Sequence, residues 1–596
     1  MPQPRRTGLT RLWRYTEGRH RRLAVIALLA AVSAAAPTVG WIIVGDAVDN
    51  GIRAGDESRL TVDVIAYIAV NAAAWLLGTA TWLLLAGVGQ QIVYELRRDL
   101  FDHLTSLSLR YFSQQKAGWI IARLTSDVDA LSDVLNQGLT TLVVNSLTLV
   151  AAVAGLFVLD WRLGLIALVV LPPGILVTRW FQHRSHAAFA DVRTRIAAVT
   201  AQLAESVSGM AVVQAFNRER TFQAEFDELN EANRRANVRA QKLSSVFFPA
   251  IELLGVTATV LVLYGGALLI DGGSLEIGTL VAAVGLLQLV FQPLQELSEL
   301  YGQVQAAHAA MDKISTVLDA EQDITDRPGA RPIGRIEGRL ELDRVVFAYG
   351  DEPVIHGISI DVAAGGCIAL VGESGGGKST TAKLIARFYD PDDGAVRVDG
   401  ADLRDVQLRS YRRQLGVVLQ DPFLFSGTIA DNIRFGRPDA TDDEVREAAA
   451  AIGVDRVAAR FEEGIEHTVR EGGAGLSAGE RQLISIARAL LADPRILILD
   501  EATSNIDRPS EVLIERAFDR LLAGRTSIII AHRLATVRRA DEILVVEHGR
   551  IVQRGSEAAL LEDDGPFRRL ARTLHGAPAR RTSAPARRRA VPTSGA

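Results

Sequence analysis

Residues 368–380 read Ile368-Ala369-Leu370-Val371-Gly372-Glu373-Ser374-Gly375-Gly376-Gly377-Lys378-Ser379-Thr380. The four apolar residues predict a short buried strand, and the residues after Thr380 continue with helical periodicity. Between strand and helix, the glycines and the Lys378-Ser379 pair match the pattern G-x-x-x-x-G-K-[ST]. This order of strand, glycine-rich loop and helix predicts a phosphate-binding loop in a parallel α/β domain. A glycine-rich turn without a ligand is the alternative.

The chemistry of this loop indicates a nucleotide. Glycines allow consecutive backbone N–H groups, together with the N-terminus of the following helix, to face an anion. We expect Lys378 to reach the β- and γ-phosphates and the Ser379 hydroxyl to bind Mg²⁺. ATP and Mg²⁺ are therefore the expected cofactors. The expected contacts in the loop are Gly372, Glu373, Ser374, Gly375, Gly376, Gly377, Lys378, Ser379 and Thr380.

Two further apolar strands end in residues suited to phosphate chemistry. Asp500 and Glu501 follow the run 496–499, and His532 follows the run 528–531. Parallel strands bring their carboxyl ends to one ligand crevice. We therefore expect Asp500 to bind Mg²⁺ through water and Glu501 to act as general base on the attacking water. His532 is expected to sense the γ-phosphate or orient that base. The alternatives are carboxylates that only cap a strand and a packed histidine.

The first 300 residues contain six apolar stretches, each close to the ~20 residues that a helix needs to cross ~30 Å of hydrocarbon. These stretches are 23–45, 62–88, 138–159, 162–181, 246–270 and 277–295. The first span is too long for the alternative of a cleaved signal peptide. Arginines before it predict a cytosolic N-terminus, and six spans return the chain to that side. These arginines are Arg5, Arg6, Arg11, Arg14, Arg19, Arg21 and Arg22.

The connections between these spans alternate in length. The outer ones are short, whereas the inner ones, 89–137 and 182–245, have dense charge and helical periodicity. As antiparallel helices at 1.5 Å per residue, the inner connections would reach about 30 Å or more into the cytosol. Glycine interrupts the pattern at 113–118 and 206–210, which we expect to be the tips. We expect a cytosolic partner at these tips, against the alternative of solvated hairpins.

The predicted fold class is therefore an all-α, six-helix transmembrane domain with long intracellular helices, joined to an α/β P-loop ATPase domain. The sequence 339–347 alternates apolar and polar residues and predicts a half-buried strand early in the second domain. The predicted domains are a cytosolic N-terminal segment at 1–22, the transmembrane domain at 23–300, a linker at 301–335, the ATPase domain at 336–572 and a disordered basic tail at 573–596.

The composition excludes several classes of protein. Hydrophobic residues make up 48% and charged residues 23%, which excludes global disorder. The net charge of -5 argues against nucleic acid as a partner. The single cysteine, Cys367, cannot form an internal disulfide, and no Cys/His spacing suggests zinc or an iron–sulfur cluster. The arginine-rich, lysine-poor composition indicates a bacterial source. We therefore expect a multi-pass protein of the bacterial plasma (inner) membrane, with membrane lipids as partners and both termini in the cytoplasm.

A third motif completes a recognisable set. Residues 476–482 read Leu476-Ser477-Ala478-Gly479-Glu480-Arg481-Gln482. Together with the phosphate loop and Asp500-Glu501, this marker stretch makes the chain resemble the ATP-binding cassette (ABC) transporters over about residues 15–570. The resemblance is to half-transporters, in which an exporter-type six-helix membrane domain is fused to one ABC cassette. It implies a dimer whose cassettes close head to tail around ATP, so that Ser477 and Gly479 complete the phosphate site of the partner.

The resemblance also implies roles for residues that would otherwise be unremarkable. It implies that Tyr349 stacks on adenine and that Gln420 contacts Mg²⁺ and couples to the membrane domain. It further implies that Asn505 and Asp507 form a loop across the dimer, and that Glu471 lies in a segment touching the membrane-domain helices.

The marker departs from the family pattern at two positions. Ala478 stands where the family has glycine, and Glu480 stands where it has glutamine. A carboxylate near bound phosphate is expected to weaken the contact across the dimer. Because an imperfect marker often serves a partner's weak site, a heterodimer with a second half-transporter is favoured over a homodimer, which stays open.

These features predict half of an ATP-driven transporter that works by alternating access, exporting or flipping small amphipathic or hydrophobic compounds or lipids. The alternatives are an exporter-fold importer, an ATP-gated channel or regulator, and a membrane-anchored ATPase acting on proteins. Glu252 lies in an apolar span and is a candidate to attract a cationic substrate, with simple solvation near the inner interface as the alternative. Candidate cavity residues, for which packing is the alternative, are Asn71, Trp75, Trp82, Asn145, Tyr264 and Gln288.

Overall fold

The computed structural model describes residues 8–500, 508–531 and 533–574. The chain divides into two compact units. The first unit comprises residues up to 106 and residues 115–320, and the second comprises residues 107–114 and the chain from 321 onward. The domain boundaries given above stay a prediction.

The described part of the first unit is helical. A 3-10 helix, Gly8–Thr16, precedes the α-helices, and π-helical turns cover Ala47–Arg53 and Val134–Gly138. The α-helices up to residue 318 are α1 (His20–Asp46), α2 (Glu57–Ser106), α3 (Leu109–Gln114), α4 (Ala117–Leu124), α5 (Ser126–Asp133), α6 (Leu139–Leu159), α7 (Trp161–Ser208), α8 (Met210–Ala215), α9 (Glu219–Asp271) and α10 (Ile277–Leu318). Of these, α3 belongs to the second unit.

Each of the six predicted spans lies in an apolar helix. Five helical segments are long and apolar enough to cross a membrane, namely His20–Arg53, Glu57–Ser106, Ala117–Leu159, Trp161–Ser208 and Glu219–Asp271. The sixth span coincides with the shorter apolar segment Ile277–Pro293 at the start of α10. Buried residues from α6, α7, α9 and α10, among them Leu156, Leu163, Val262 and Leu286, form a common core. The first unit is thus a helical bundle with the composition of a membrane domain.

Several helices continue well past their apolar part. The 50 residues of α2 correspond to a length of about 75 Å, and α7 and α9 are of similar size. Polar contacts join α7 to α9 beyond the predicted spans: Arg239 donates to Asp191 at 2.8 Å, and Gln202 donates to Glu225 at 3.2 Å. The predicted inner connections are therefore helical hairpins built on extensions of the spans.

The two hairpin tips were predicted with different accuracy. The predicted break at 206–210 is confirmed, because α7 ends at Ser208 and Gly209 separates it from α8. The other turn begins earlier than predicted, since α2 already ends at Ser106 and the short α3 precedes the break at 115–116. A similar difference concerns α10, which continues through Leu318 although the connector was expected from residue 301. Buried Ala307, Met311, Ile314 and Val317 give this extension an apolar face at helical spacing.

The second unit contains twelve strands among its described residues. They are β1 (Leu340–Tyr349), β2 (Glu352–Val362), β3 (Cys367–Val371), β4 (Asp393–Val398), β5 (Ala401–Asp402), β6 (Leu415–Val418), β7 (Gly427–Thr428), β8 (Thr468–Val469), β9 (Ile496–Asp500), β10 (Thr526–Ile530), β11 (Glu542–Glu547) and β12 (Arg550–Gly555). The predicted strand at 339–347 is β1, and its alternating burial agrees with a half-buried strand.

Helices accompany these strands. The α-helices after α10 are α11 (Lys378–Ile385), α12 (Leu408–Arg412), α13 (Ile429–Arg434), α14 (Asp442–Ile452), α15 (Val454–Ala458), α16 (Ala478–Leu491), α17 (Arg508–Leu522), α18 (Leu534–Val537), α19 (Glu557–Glu562) and α20 (Pro566–Leu574). Short 3-10 turns cover Leu403–Asp405, Gly464–Glu466 and Glu471–Gly473. The α3 segment also lies in this unit, where the Ser108 hydroxyl donates to Asp323 at 3.0 Å and the Arg110 guanidinium lies 5.8 Å from the Tyr389 ring centroid.

A six-stranded sheet in the order β12-β11-β3-β10-β9-β6 forms the centre of the second unit. All neighbours pair in parallel except β11 and β12. Side chains of β3, β9 and β10 are buried alternately in two cores on opposite faces of this sheet. Both faces are covered, which explains the unbroken apolar runs of these strands. A four-stranded antiparallel sheet, β2-β1-β4-β5, completes the second core.

Candidate functional site

The central sheet brings three predicted site segments to one edge. Ile530 of β10 pairs with Leu370 of β3 on one side and with Asp500 of β9 on the other. Val418 at the end of β6 pairs with Leu499. Since these strands are parallel, the loop after β3, the carboxylate of Asp500 and the segment after β6 all lie at the carboxyl edge, where ligands of such sheets bind.

The loop at 372–377 holds a conformation that requires glycine. Gly372 has φ 145° and Gly377 has φ 104°, which side-chain-bearing residues rarely adopt. A Cβ at Gly372 would collide with the carbonyl oxygen of Val546. The loop is held from the same side by Gly549, whose N–H donates to the Gly376 carbonyl at 3.0 Å. The turn between β11 and β12 therefore fixes the loop before any ligand binds.

The helix that follows begins at Lys378 and has Gly377 as its N-cap, with no side-chain hydrogen bond to the first turn. Backbone N–H groups at such a terminus attract an anion. The Lys378 side chain is buried and turns back over its own loop, where its ammonium donates to the carbonyls of Gly372 at 2.9 Å and Glu373 at 2.7 Å. Burial lowers the pKa of Lys378, and the negative charge of Asp500 opposes this shift only in part.

The remaining loop residues differ in exposure. Glu373, Ser374, Gly375 and Ser379 are exposed, whereas Gly376, Gly377 and Thr380 are buried. Thr380 Oγ1 lies 3.4 Å from the hydroxyl of Tyr349, the residue expected to stack on adenine. The loop thus presents its backbone and Ser379 to solvent while Thr380 joins it to β1.

Three oxygen-bearing side chains at this edge suit a magnesium ion. The Ser379 hydroxyl and the Gln420 side chain are exposed, and Asp500 is half-buried at the end of β9. Within the described ranges, no cluster of three or more His, Cys, Asp or Glu side chains could hold a metal alone. Mg²⁺ commonly takes only one or two carboxylates and completes its shell with phosphates and water, so this donor set fits it.

Tyr349 is held in place by aromatic neighbours. Its ring meets Phe347 edge-on at 4.9 Å and Tyr389 edge-on at 5.3 Å, and the Lys383 ammonium lies 6.0 Å from its centroid. Tyr349 is 38% exposed, so part of its surface is available for stacking. Sequence reasoning missed Tyr389, which lies forty residues away and has no local pattern that links it to Tyr349.

The marker stretch forms the N-terminus of α16. Ser477 is the N-cap and makes a capping box with Glu480: the Ser477 N–H donates to Glu480 Oε2 at 2.8 Å, and the Glu480 N–H donates to Ser477 Oγ at 3.3 Å. Gly479 is buried, and the Arg481 guanidinium donates to the Leu476 carbonyl at 2.7 Å. The side chain of Glu480 is therefore folded back onto its own helix.

An arginine that sequence reasoning missed also contacts this carboxylate. Arg460 Nη2 forms an ion pair with Glu480 Oε1. The Arg460 side chain is 55% exposed and that of Glu480 is 12% exposed. Arg460 and Glu480 are twenty residues apart in sequence and lie in different segments of the chain, so only the tertiary structure reveals the pair. The negative charge that distinguishes this marker is thus matched by a neighbouring positive charge.

The remaining predicted site residues of the second unit are Glu471 and four residues that the structure does not describe. Glu471 is exposed at the start of a 3-10 turn, and its expected contact with the membrane domain stays a prediction. Glu501, Asn505, Asp507 and His532 lie outside the residues that the structure describes.

Candidate substrate residues of the first unit show varied surroundings. Trp75, Trp82 and Tyr264 are exposed apolar side chains, whereas Asn145 donates to Glu296 at 2.7 Å. Glu252 is exposed. These positions leave a role in substrate binding a prediction.

Both units match known family models. A model of the ABC transporter transmembrane region matches residues 23–294, and a model described as ABC transporter matches residues 355–504. The chain belongs to the ABC transporter family. This ABC transporter is 36% identical over 553 residues to the uncharacterized ABC transporter ATP-binding protein YknV of Bacillus subtilis, covering 92% of this chain and 91% of the relative.

Two further comparisons concern an exporter structure and a named transporter. A bacterial Atm1-family ABC exporter with ATP bound superposes with a TM-score of 0.78 at 28% identity, covering 95% of this chain and 99% of the other. The fatty acid ABC transporter ATP-binding/permease protein of Mycobacterium bovis is 38% identical over 532 residues, 89% of this chain and 83% of its own length. The predicted family and fold class are confirmed. This ABC transporter carries the ATP-binding module whose ATP hydrolysis the family couples to transport.

Proposed function

We propose that this chain is one half of an exporter in the bacterial inner membrane that moves amphipathic, lipid-like compounds. One observation carries the proposal: the same chain contains an apolar helical bundle and a sheet edge at which Lys378, Asp500 and Gln420 lie. The relative named as a fatty acid transporter supports a lipid-like substrate. The exposed aromatic side chains of the bundle suit an apolar ligand.

The residues at the carboxyl edge of the central sheet have different roles in ATP hydrolysis. The backbone of the loop and the first turn of α11 bind the phosphates, and Lys378 transfers its hydrogen bonds from loop carbonyls to phosphate oxygens. Ser379, Gln420 and Asp500 would hold Mg²⁺, which when bound neutralises charge on the phosphates. Glu501 accepts a proton from the attacking water, His532 orients that base, and Tyr349 holds the adenine.

A second cassette completes the site in the proposed assembly. Ser477 and Gly479 at the terminus of α16 contact nucleotide held by the partner, and closure of the two cassettes drives alternating access in the membrane domains. Both termini lie in the cytoplasm. The heterodimer prediction depended on an unscreened carboxylate at Glu480, and the ion pair with Arg460 weakens that basis. The mass of the natively purified assembly decides between a homodimer and a pairing with a second half-transporter.

Transport by the full-length protein in vesicles tests this proposal. The protein is reconstituted with a fluorescent fatty acid or short-chain phospholipid analogue, and leaflet exchange is followed after addition of ATP and Mg²⁺. We expect ATP-dependent movement in the wild type and none in Glu501→Gln, the matched variant with one carboxylate replaced. ATP-dependent ion conductance without analogue movement would identify a channel, movement in the opposite direction an importer, and hydrolysis without either a membrane-anchored ATPase.

A further inference from the structure

A groove opens between α1 and α2 where α1 begins and the apolar part of α2 ends. Its volume is about 680 Å³, and it is lined by residues 19–26 on one side and 83–91 on the other. This volume lies within the range typical of ligand pockets. Both walls belong to the membrane unit, so the groove is a feature of one compact body.

The groove has a cationic half and an apolar half. Arg19, Arg21 and Arg22 line one end. Exposed Val25, Leu83 and Leu84 line the other. One helical turn separates Arg21 from Val25 along α1, a distance of about 6 Å. A ligand filling the groove therefore meets positive charge at one end and hydrocarbon at the other.

Two of the three arginines are available to a ligand. Arg19 is engaged within the protein, since its guanidinium donates to Glu95 at 2.5 Å and to the Tyr15 carbonyl at 2.7 Å. Arg21 and Arg22 are exposed, and neither side chain has an ion pair or hydrogen bond with any described residue. Glu95, the partner of Arg19, also accepts from Gln91 at 3.0 Å, and the described residues that line the groove include no acidic side chain.

The groove lies at the level expected for lipid headgroups. The family model of the membrane region begins at residue 23, and the sequence predicts that the first span starts at 23 and the second ends at 88. Arg21 and Arg22 thus lie just outside the hydrocarbon, and Val25, Leu83 and Leu84 just inside it. With the proposed cytosolic N-terminus, this is the cytosolic leaflet, whose surface carries negative charge.

We infer that the groove binds an anionic glycerophospholipid of the cytosolic leaflet. The headgroup phosphate pairs with Arg21 and Arg22, and one acyl chain lies along Val25, Leu83 and Leu84. The complementary charge favours this occupant over a zwitterionic lipid, because paired guanidiniums prefer a ligand with net negative charge. The groove is open beside Gly87 on the α2 side, since a Cβ placed there would meet no atom within 4 Å.

Native mass spectrometry of the detergent-purified, full-length assembly tests this inference. The protein is exchanged into equimolar phosphatidylglycerol and phosphatidylcholine, and retained lipids are counted. Arg21→Ala/Arg22→Ala is expected to lower phosphatidylglycerol retention about tenfold. Gly87→Leu, which fills the groove without changing charge, is expected to lower it as well. Arg234→Ala/Arg235→Ala removes two exposed arginines of α9 and serves as the matched control.

The possible outcomes separate lipid from other occupants. Preferential phosphatidylglycerol retention that both groove variants lower and the control leaves unchanged supports the inference. Equal retention of the two lipids, or equal losses in the control and the arginine variant, overturns it. If the groove variants instead dissociate the assembly into single chains, a second copy covers the groove and the inference is wrong. The lipid count does not depend on ATP turnover, so it stands apart from the transport test.

Discussion

Two helix N-termini of the second unit are both expected to contact nucleotide phosphate, but they are capped differently. The N-terminus of α11 has glycine as its cap and no side-chain hydrogen bond, so its first N–H groups stay available. The N-terminus of α16 is closed by a capping box between Ser477 and Glu480, and Arg460 pairs with the same carboxylate. The first terminus therefore leaves its N–H groups open to phosphate, whereas in the second the N–H groups of Ser477 and Glu480 already have side-chain acceptors.

This difference in capping explains why the two termini can bind nucleotide one after the other. A terminus with open N–H groups gains free energy from the first anion that arrives. A capped terminus has to exchange existing hydrogen bonds, which keeps its net gain small. We expect nucleotide to bind first at α11 and to meet the α16 terminus of the partner only when the two cassettes close.

The largest effect is expected from a variant that binds ATP between the α11 terminus of one chain and the α16 terminus of its partner but does not hydrolyse it. Glu501→Gln removes the proposed base and leaves the phosphate loop intact, so ATP hydrolysis should fall about thousandfold while ATP binding is kept. The measurement is phosphate release together with nucleotide retained after gel filtration. Adding Ser477→Ala to this variant should lower the retained nucleotide. Normal hydrolysis by Glu501→Gln would show that another group is the base.

The open terminus alone is tested by Lys378→Ala. Loss of the ammonium removes the donor that we propose binds the phosphates, and ATPase activity should fall about hundredfold with weaker nucleotide binding. Lys383→Ala, a charge removal on the same helix, is the control and should change activity far less. If affinity for a fluorescent ATP analogue is the same in Lys378→Ala and the wild type, the ammonium does not contact the phosphates.

The capped terminus is tested by a double-mutant cycle on its ion pair. Arg460→Ala leaves the Glu480 carboxylate without its counter-charge and should lower ATPase activity about fivefold, or about 1 kcal/mol. Glu480→Gln alone should change activity little or raise it slightly, and the double variant should return to near the wild-type rate. Additive effects of the two changes would mean that the ion pair does not tune the marker.

The smallest expected effect concerns pH. Burial lowers the pKa of Lys378, so its ammonium loses its proton at a lower pH than an ordinary lysine, whose pKa is about 10.4. The charge that attracts phosphate therefore declines at a lower pH than it would on an exposed lysine. ATP affinity measured without Mg²⁺ should therefore fall on the alkaline side. In Lys378→Ala this fall should be flatter, and an identical pH profile would assign the titration to another group.

Much of the second unit could be predicted because its sequence signals are local. β3, β9 and β10 are buried on both faces, so each appears as an unbroken apolar run followed by candidate site residues. The phosphate loop is equally local, since its glycines and Lys378 are adjacent in sequence. The six apolar stretches likewise follow from length and composition alone.

The rest depends on contacts that the sequence does not display. Arg460 reaches Glu480 and Tyr389 supports Tyr349 across long separations, and no periodicity predicts either contact. The ends of the helices were also predicted less accurately than their existence. The segment after α2 turns early, where Ser108 contacts Asp323, a contact set by tertiary structure. The extension of α10 did leave a signal, because its apolar residues recur at helical spacing up to Val317.

The unbroken course of α7 and α9 constrains how this chain can change. Each added or lost residue in a continuous helix rotates everything beyond it by about 100° and shifts it by about 1.5 Å. Between the membrane and the far end of the hairpin, one such change would turn Asp191 away from Arg239. Insertions of about seven residues, close to two full turns, preserve the phase. The length of the hairpin can therefore change only in steps close to whole turns.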